Sequence, residues 1–149
     1  MKLKQRKEKT LFLVFLILVL LFIWGNSLLS VDLSSEESGR LVRLLEKLFG
    51  EGNVSEHFVR KLAHFTEFAA LGFLLCLLFE RYFLAAAHGL FAAVADESLQ
   101  LLSVRGSQVK DVLLDFTGVL FGALAALLLW LLWKKWTEKR NGERYTEGN

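Results

Sequence analysis

DESLQLLSVRGSQVKDVLLDFTGVLFG, residues 96–122, interrupts an otherwise apolar part of the chain with charge. It sets Asp96, Glu97, Gln100, Arg105, Lys110, Asp111 and Asp115 between two apolar blocks that otherwise read as membrane spans. Holding a charge in hydrocarbon costs on the order of 2–3 kcal/mol even on the gentler insertion scale, so charges kept there mark a functional site by default. The economical arrangement is a helical hairpin, with the polar ends of both helices and the short Ser103–Lys110 loop at one membrane face.

Outward from this hairpin, the chain continues in apolar blocks. Asp111–Trp133 is polar at its start and apolar afterwards, and Phe83–Leu102 carries His88 early and its acids late. Before it come a polar turn, Glu80-Arg81-Tyr82, and the block Phe58–Phe79, with Arg60, Lys61, His64 and Glu67 in its first half. Thr10–Leu29 follows a basic start that includes Lys2, Lys4, Arg6, Lys7 and Lys9. No small-x-small cleavage site ends that run, so it reads as an uncleaved first span rather than a signal peptide. Trp24 is expected in the interfacial aromatic belt.

Each block reaches the roughly 20 residues needed to cross the hydrocarbon only with its polar end included. The expected fold is therefore all-α and polytopic, with four transmembrane helices at about 10–29, 58–79, 83–102 and 111–133. Residues 1–133 form one domain, and 134–149 a basic, unstructured cytoplasmic tail. Between spans one and two, Ser34-x-x-Glu37 fits a capping box. Leu41, Leu44, Leu45, Leu48 and Phe49 follow at helical spacing, which predicts a short amphipathic extracytoplasmic helix. Asn53-Val54-Ser55 matches a glycosylation sequon, a short and weak signal.

Composition agrees. The chain is 54% hydrophobic with mean hydropathy +0.41, against about 45–50% apolar for soluble domains. A net charge of +2 gives no case for nucleic acid, and a single cysteine, Cys76, rules out an intramolecular disulfide. Basic residues set the orientation. Eleven lie in the N-terminal segment, the Arg81 turn and the tail, against seven on the other side, which places both termini in the cytoplasm. The expected location is the bacterial cytoplasmic membrane.

In that topology the polar ends of spans two, three and four share the outer leaflet. At 1.5 Å rise per residue, Glu67 and Asp96 lie roughly 9 Å below the interface and Asp115 roughly 6 Å. Arg60, His64 and Glu67 fall on one helical stripe, and Asp111, Asp115, Gly118 and Gly122 on another. Gly118-x-x-x-Gly122 permits close approach of a neighbouring helix. The spacing thus predicts one outward-facing pocket.

The segments Val59–Leu75, Asp96–Gln100 and Val104–Gly122, with Asn26–Val42 before them, resemble the VanZ-like membrane proteins over roughly Phe22 to Gly122. The resemblance implies a small polytopic membrane protein in a family named for a member associated with low-level resistance to the glycopeptide teicoplanin. Carried over by position, its polar residues are Arg60, Lys61, His64, Glu67, Asp96, Glu97, Gln100, Arg105, Asp111 and Asp115. Leu99 departs from it, many members having histidine there, which counts against a catalytic metal centre. Others carry an amide where this chain has Asp115.

Three functions compete. In the first, Arg60, Lys61, Arg105 and Lys110 bind phosphate or carboxylate at the rim while Glu67, Asp96, Glu97, Gln100, Asp111 and Asp115 accept from hydroxyls or amines below. The ligand is then a membrane lipid, a cell-wall lipid intermediate or a glycopeptide. In the second, His64, Glu67 and Glu97 serve an intramembrane hydrolase, with or without a divalent metal. In the third, the charges only fix a helix bundle or dock a partner. No cofactor or metal is assigned in the favoured reading.

Overall fold

A computed structural model describes residues 6–28, 39–47, 55–102 and 108–147. Five helices make up the described residues: α1 (Arg6–Ser27), α2 (residues 39–47), α3 (Glu56–Phe79), α4 (Tyr82–Leu102) and α5 (Val109–Glu147). Local chemistry sets several boundaries. Ser55 caps α3, its backbone extended and its hydroxyl accepting from the Phe58 N–H at 3.2 Å. That satisfies one of the donors a helix start leaves open. At the other end Glu80 adopts a left-handed conformation, φ 57°, and its N–H returns to the Cys76 carbonyl. A left-handed residue is a common helix stop, and here it turns the chain directly into α4.

The α3–α4 hairpin is central. α5 lies along α3 and against α4, and α1 packs on α3 and α4 as well. The buried core is Ile23, Phe68, Leu71, Leu75, Val119 and a set of small residues, Ala85, Ala92, Ala93, Ala123 and Ala126. Small residues let backbones approach, which is what drives helix association where lipid is as apolar as leucine. The α3–α5 contact takes this furthest. A Cβ added to Gly122 would run into the Ala69 carbonyl, one on Gly72 into the Val119 backbone, and one on Gly118 would lie 2.6 Å from the Phe65 carbonyl oxygen.

The outward surface is the reverse of a soluble protein's. Phe83, Phe91, Phe121 and Leu132 are exposed, as are Leu18, Leu21 and Phe22 along α1, while Asp96 and Asp115 are buried. Three helices are long and apolar enough to cross a membrane: Lys7–Ser27, Glu56–Phe79 and Val109–Arg140. α4 is not among them. Its 21 residues extend about 31 Å at 1.5 Å each, but Asp96, Glu97 and Gln100 load one end with polar groups.

One expectation changes. The tail was expected to lack structure from Lys134, yet α5 continues to Glu147. Lys134 pairs with Glu138 at 3.8 Å and lies over the Trp130 ring, and Arg140 stacks on Trp136. Contacts one helical turn apart and good helix formers keep this end wound without a core. Trp24 is part-buried, packed against the core with its indole N–H toward the Ala92 carbonyl at 3.5 Å. In α2 the buried positions are Gly39 and Val42, while Leu41 and Leu44 are exposed. The capping-box residues and the sequon asparagine lie outside the described residues.

Candidate functional site

Up-and-down connectivity brings four helix ends together: the C-terminal end of α1, the first half of α3, the last turns of α4 and the start of α5. Each contributes polar side chains at the same end of the bundle. Asp96 on α4 is the centre. It is fully buried, and its two oxygens accept from the Ser27 hydroxyl at 2.5 Å and the Gln100 amide at 2.9 Å. Its Oδ2 is 3.9 Å from His64 Nδ1, and the same nitrogen is 4.0 Å from Asp115 Oδ1. Those two separations are too long for hydrogen bonds.

The remaining acids divide by partner. Glu67 accepts from the Asn26 amide at 3.4 Å. Glu97 accepts from the Gln108 backbone N–H at 2.6 Å, just ahead of α5. A carboxylate there satisfies an open donor and complements the positive end of the helix. Asp111 pairs with Lys61 at 3.3 Å near the surface, their side chains 29% and 37% exposed. Asp115 Oδ1 and Glu97 Oε2 are buried and have no hydrogen-bond partner among the described residues. Buried polar atoms are nearly always satisfied, so such exceptions point to a missing group.

The expected site residues therefore sort themselves. His64, Asp96, Gln100 and Asp115 come together, Glu67 and Glu97 stand at their edge, and Lys61 and Asp111 make the more exposed rim. Arg60 is part-buried on α3. Lys110 is exposed and makes no ion pair among the described residues. Arg105 lies outside the described residues. Gly118 and Gly122 are buried against α3. His88 lies about two turns before Asp96 on α4, its Nδ1 2.8 Å from the Leu84 carbonyl oxygen and its ring against Phe79.

Asn26 and Ser27 belong to the site although the sequence reading gave them no role in it. The available signal was Gly25-Asn26-Ser27, a polar close to an otherwise apolar run at the same end of the bundle as the charges. Ser27 donates to the Asp96 carboxylate.

Because the Lys61–Asp111 pair is partly exposed, solvent screens it, and such pairs contribute about 1 kcal/mol or less. Lys61→Gln is expected to lower stability by no more than that, with the difference shrinking in high salt. Denaturation of purified protein in micelles at two ionic strengths measures it.

Apolar helices closed around a cluster of buried carboxylates and a histidine define a polytopic membrane protein with a polar interior site. The family model described as VanZ/LLP1 matches residues 12–133, and the chain belongs to that family. Comparison with curated proteins and with solved structures gave no match.

Proposed function

We propose that the protein crosses the membrane four times with both termini cytoplasmic, and that the polar end of its bundle binds an anionic or zwitterionic headgroup at the outer leaflet. The ligand class is a membrane lipid or a cell-wall lipid intermediate, and the contribution to the cell is reduced susceptibility to teicoplanin-type glycopeptides. The observation that carries this reading is the gradation of the site. Lys61 and Asp111 stand partly exposed at the rim, and Asp115, with an oxygen that lacks a hydrogen-bond partner among the described residues, is buried below them. A headgroup entering from the lipid–water boundary meets cations first, suited to phosphate, and acceptors for its hydroxyl or ammonium donors beneath.

α3 and α5 both pack against α4, a contact that would shield its polar end from lipid in a four-span arrangement. Lys7, Lys9, Arg81 and the α5 extension all lie at the opposite end of the bundle, as the positive-inside rule requires of the cytoplasmic side. Exposed Leu41 and Leu44 on α2 suit a helix lying in the outer interface.

Combined Arg60→Ala and Lys61→Ala should lower retention of phosphate-bearing lipid on the purified protein by about tenfold or more, since charge-assisted hydrogen bonds contribute roughly 1.5–3 kcal/mol each. Native mass spectrometry after a fixed detergent wash measures this. Unchanged retention together with unchanged teicoplanin susceptibility of the host would remove the reading.

A further inference from the structure

We infer that His64, Asp96 and Asp115 form a binding site for one divalent transition-metal ion of the zinc type. One ligand atom from each lies within 4.8 Å of the other two. Three atoms so spaced leave a common point no more than about 2.8 Å from each, so side-chain adjustments of at most about 0.6–0.8 Å reach zinc–oxygen and zinc–nitrogen bonds of 2.0–2.2 Å. The three residues come from three different helices, α3, α4 and α5, and do not involve Leu99.

Two further observations point to a cation. Asp115 is 1% exposed, and its Oδ1, 4.0 Å from the His64 nitrogen, has no hydrogen-bond partner among the described residues. A bound ion would supply the missing contact. Charge is the second. Among the described residues, five carboxyl groups, Glu67, Asp96, Glu97, Asp111 and Asp115, share this end of the bundle with two part-buried lysine or arginine side chains, Lys61 and Arg60. Two carboxylates brought together without a cation repel, and a divalent ion between Asp96 and Asp115 reverses that interaction.

The choice of metal follows from the ligands. Imidazole favours zinc and its transition-series neighbours over magnesium or calcium, which prefer all-oxygen sets. Asp96 already has the outer contacts such a ligand needs, since Ser27 and Gln100 hold its orientation. Partners of this kind commonly change metal affinity by 10–100-fold when removed.

The test uses full-length protein in detergent, stripped with chelator and dialysed against zinc alone, with metal counted by mass spectrometry. About one zinc per chain is expected. Asp115→Asn should weaken binding more than about 100-fold, beyond what an outer partner accounts for, whereas His88→Gln should leave it unchanged. Less than half an equivalent on the wild-type chain, or an Asp115→Asn protein that binds like wild type, overturns the site. Should that variant fail to fold, the wild-type chain loaded with cobalt decides. Magnetic coupling to one imidazole nitrogen that His64→Gln removes supports the site, and its absence from the wild type overturns it. No lipid is added, so zinc binding and headgroup retention succeed or fail separately.

Discussion

Gly122→Ala is expected to destabilise the bundle by about 2–3 kcal/mol, the upper part of the range for overpacking a well-filled interior. The atoms that the new methyl would strike are the Ala69 carbonyl oxygen, the Ala69 carbonyl carbon at 2.6 Å and the Phe73 backbone nitrogen at 2.9 Å. All are main chain within a continuous helix and cannot rotate aside. Relief requires α3 and α5 to separate over their whole shared length, which also loosens Gly72 from Val119 and Gly118 from Phe65. Gly89→Ala provides the control. Its nearest obstacles are the two γ-methyl groups and the Cβ of Val119, side-chain atoms and not main chain, and its cost should be smaller. Detergent-titrated unfolding of the two variants checks the order, and an equally mild Gly122→Ala would show that the interface is not close-packed there.

Replacing Asp96 by alanine is the second large change. It leaves the buried Ser27 hydroxyl and Gln100 amide without their acceptor and withdraws a negative charge from beside His64. Interhelical hydrogen bonds in membrane proteins average about 0.6 kcal/mol and reach about 1.7, so two lost contacts predict a cost of about 1–3 kcal/mol. The effect should also have a direction in space. Ser27 ties the end of α1 to α4, so α1 should become more accessible to cross-linking or proteolysis than α3 or α5. Asp96→Asn preserves an acceptor for Ser27, and a rotated Gln100 amide can meet the new NH2 group, so its cost should stay below about 1 kcal/mol, the net size of one hydrogen bond. Ser27→Ala should reproduce part of the α1 release without disturbing Gln100. An alanine variant with α1 as protected as in wild type would contradict the assigned role.

What could be read from the residues and what could not differ for physical reasons. Charge in an apolar block is expensive, so Asp96, Glu97 and Asp115 announce themselves, and helical spacing turns Arg60, His64 and Glu67 toward one face. Neutral polar groups carry a weaker signal. Asn26 and Ser27 at the end of α1 look like an ordinary exit from the membrane, and only the packing of α1 on α4 gives them partners. Gly72 was equally silent, since a lone glycine in an apolar run acquires meaning only from the Val119 backbone opposite. Lys110 adjoins Asp111 in sequence, but one residue along a helix is about 100° around it, and the lysine faces outward. The α5 extension lacks an apolar stripe, the signal that spacing offers for a packed helix, and is instead lined by an ion pair and two cation–aromatic contacts one turn apart.

The polar load of α4 has a consequence for how the protein is made. In the four-span arrangement, this helix is a reluctant passenger when it leaves the ribosome, too polar at its trailing end to settle in lipid unaided. The segments synthesised before it already hold Ser27 and His64, and α5, with Asp115, emerges only afterwards. Insertion of α4 is then a cooperative event that waits for neighbours. A chain lacking one of those contacts is expected to insert α4 less completely, so the residues gathered at this end would also bear on how the helix enters the membrane.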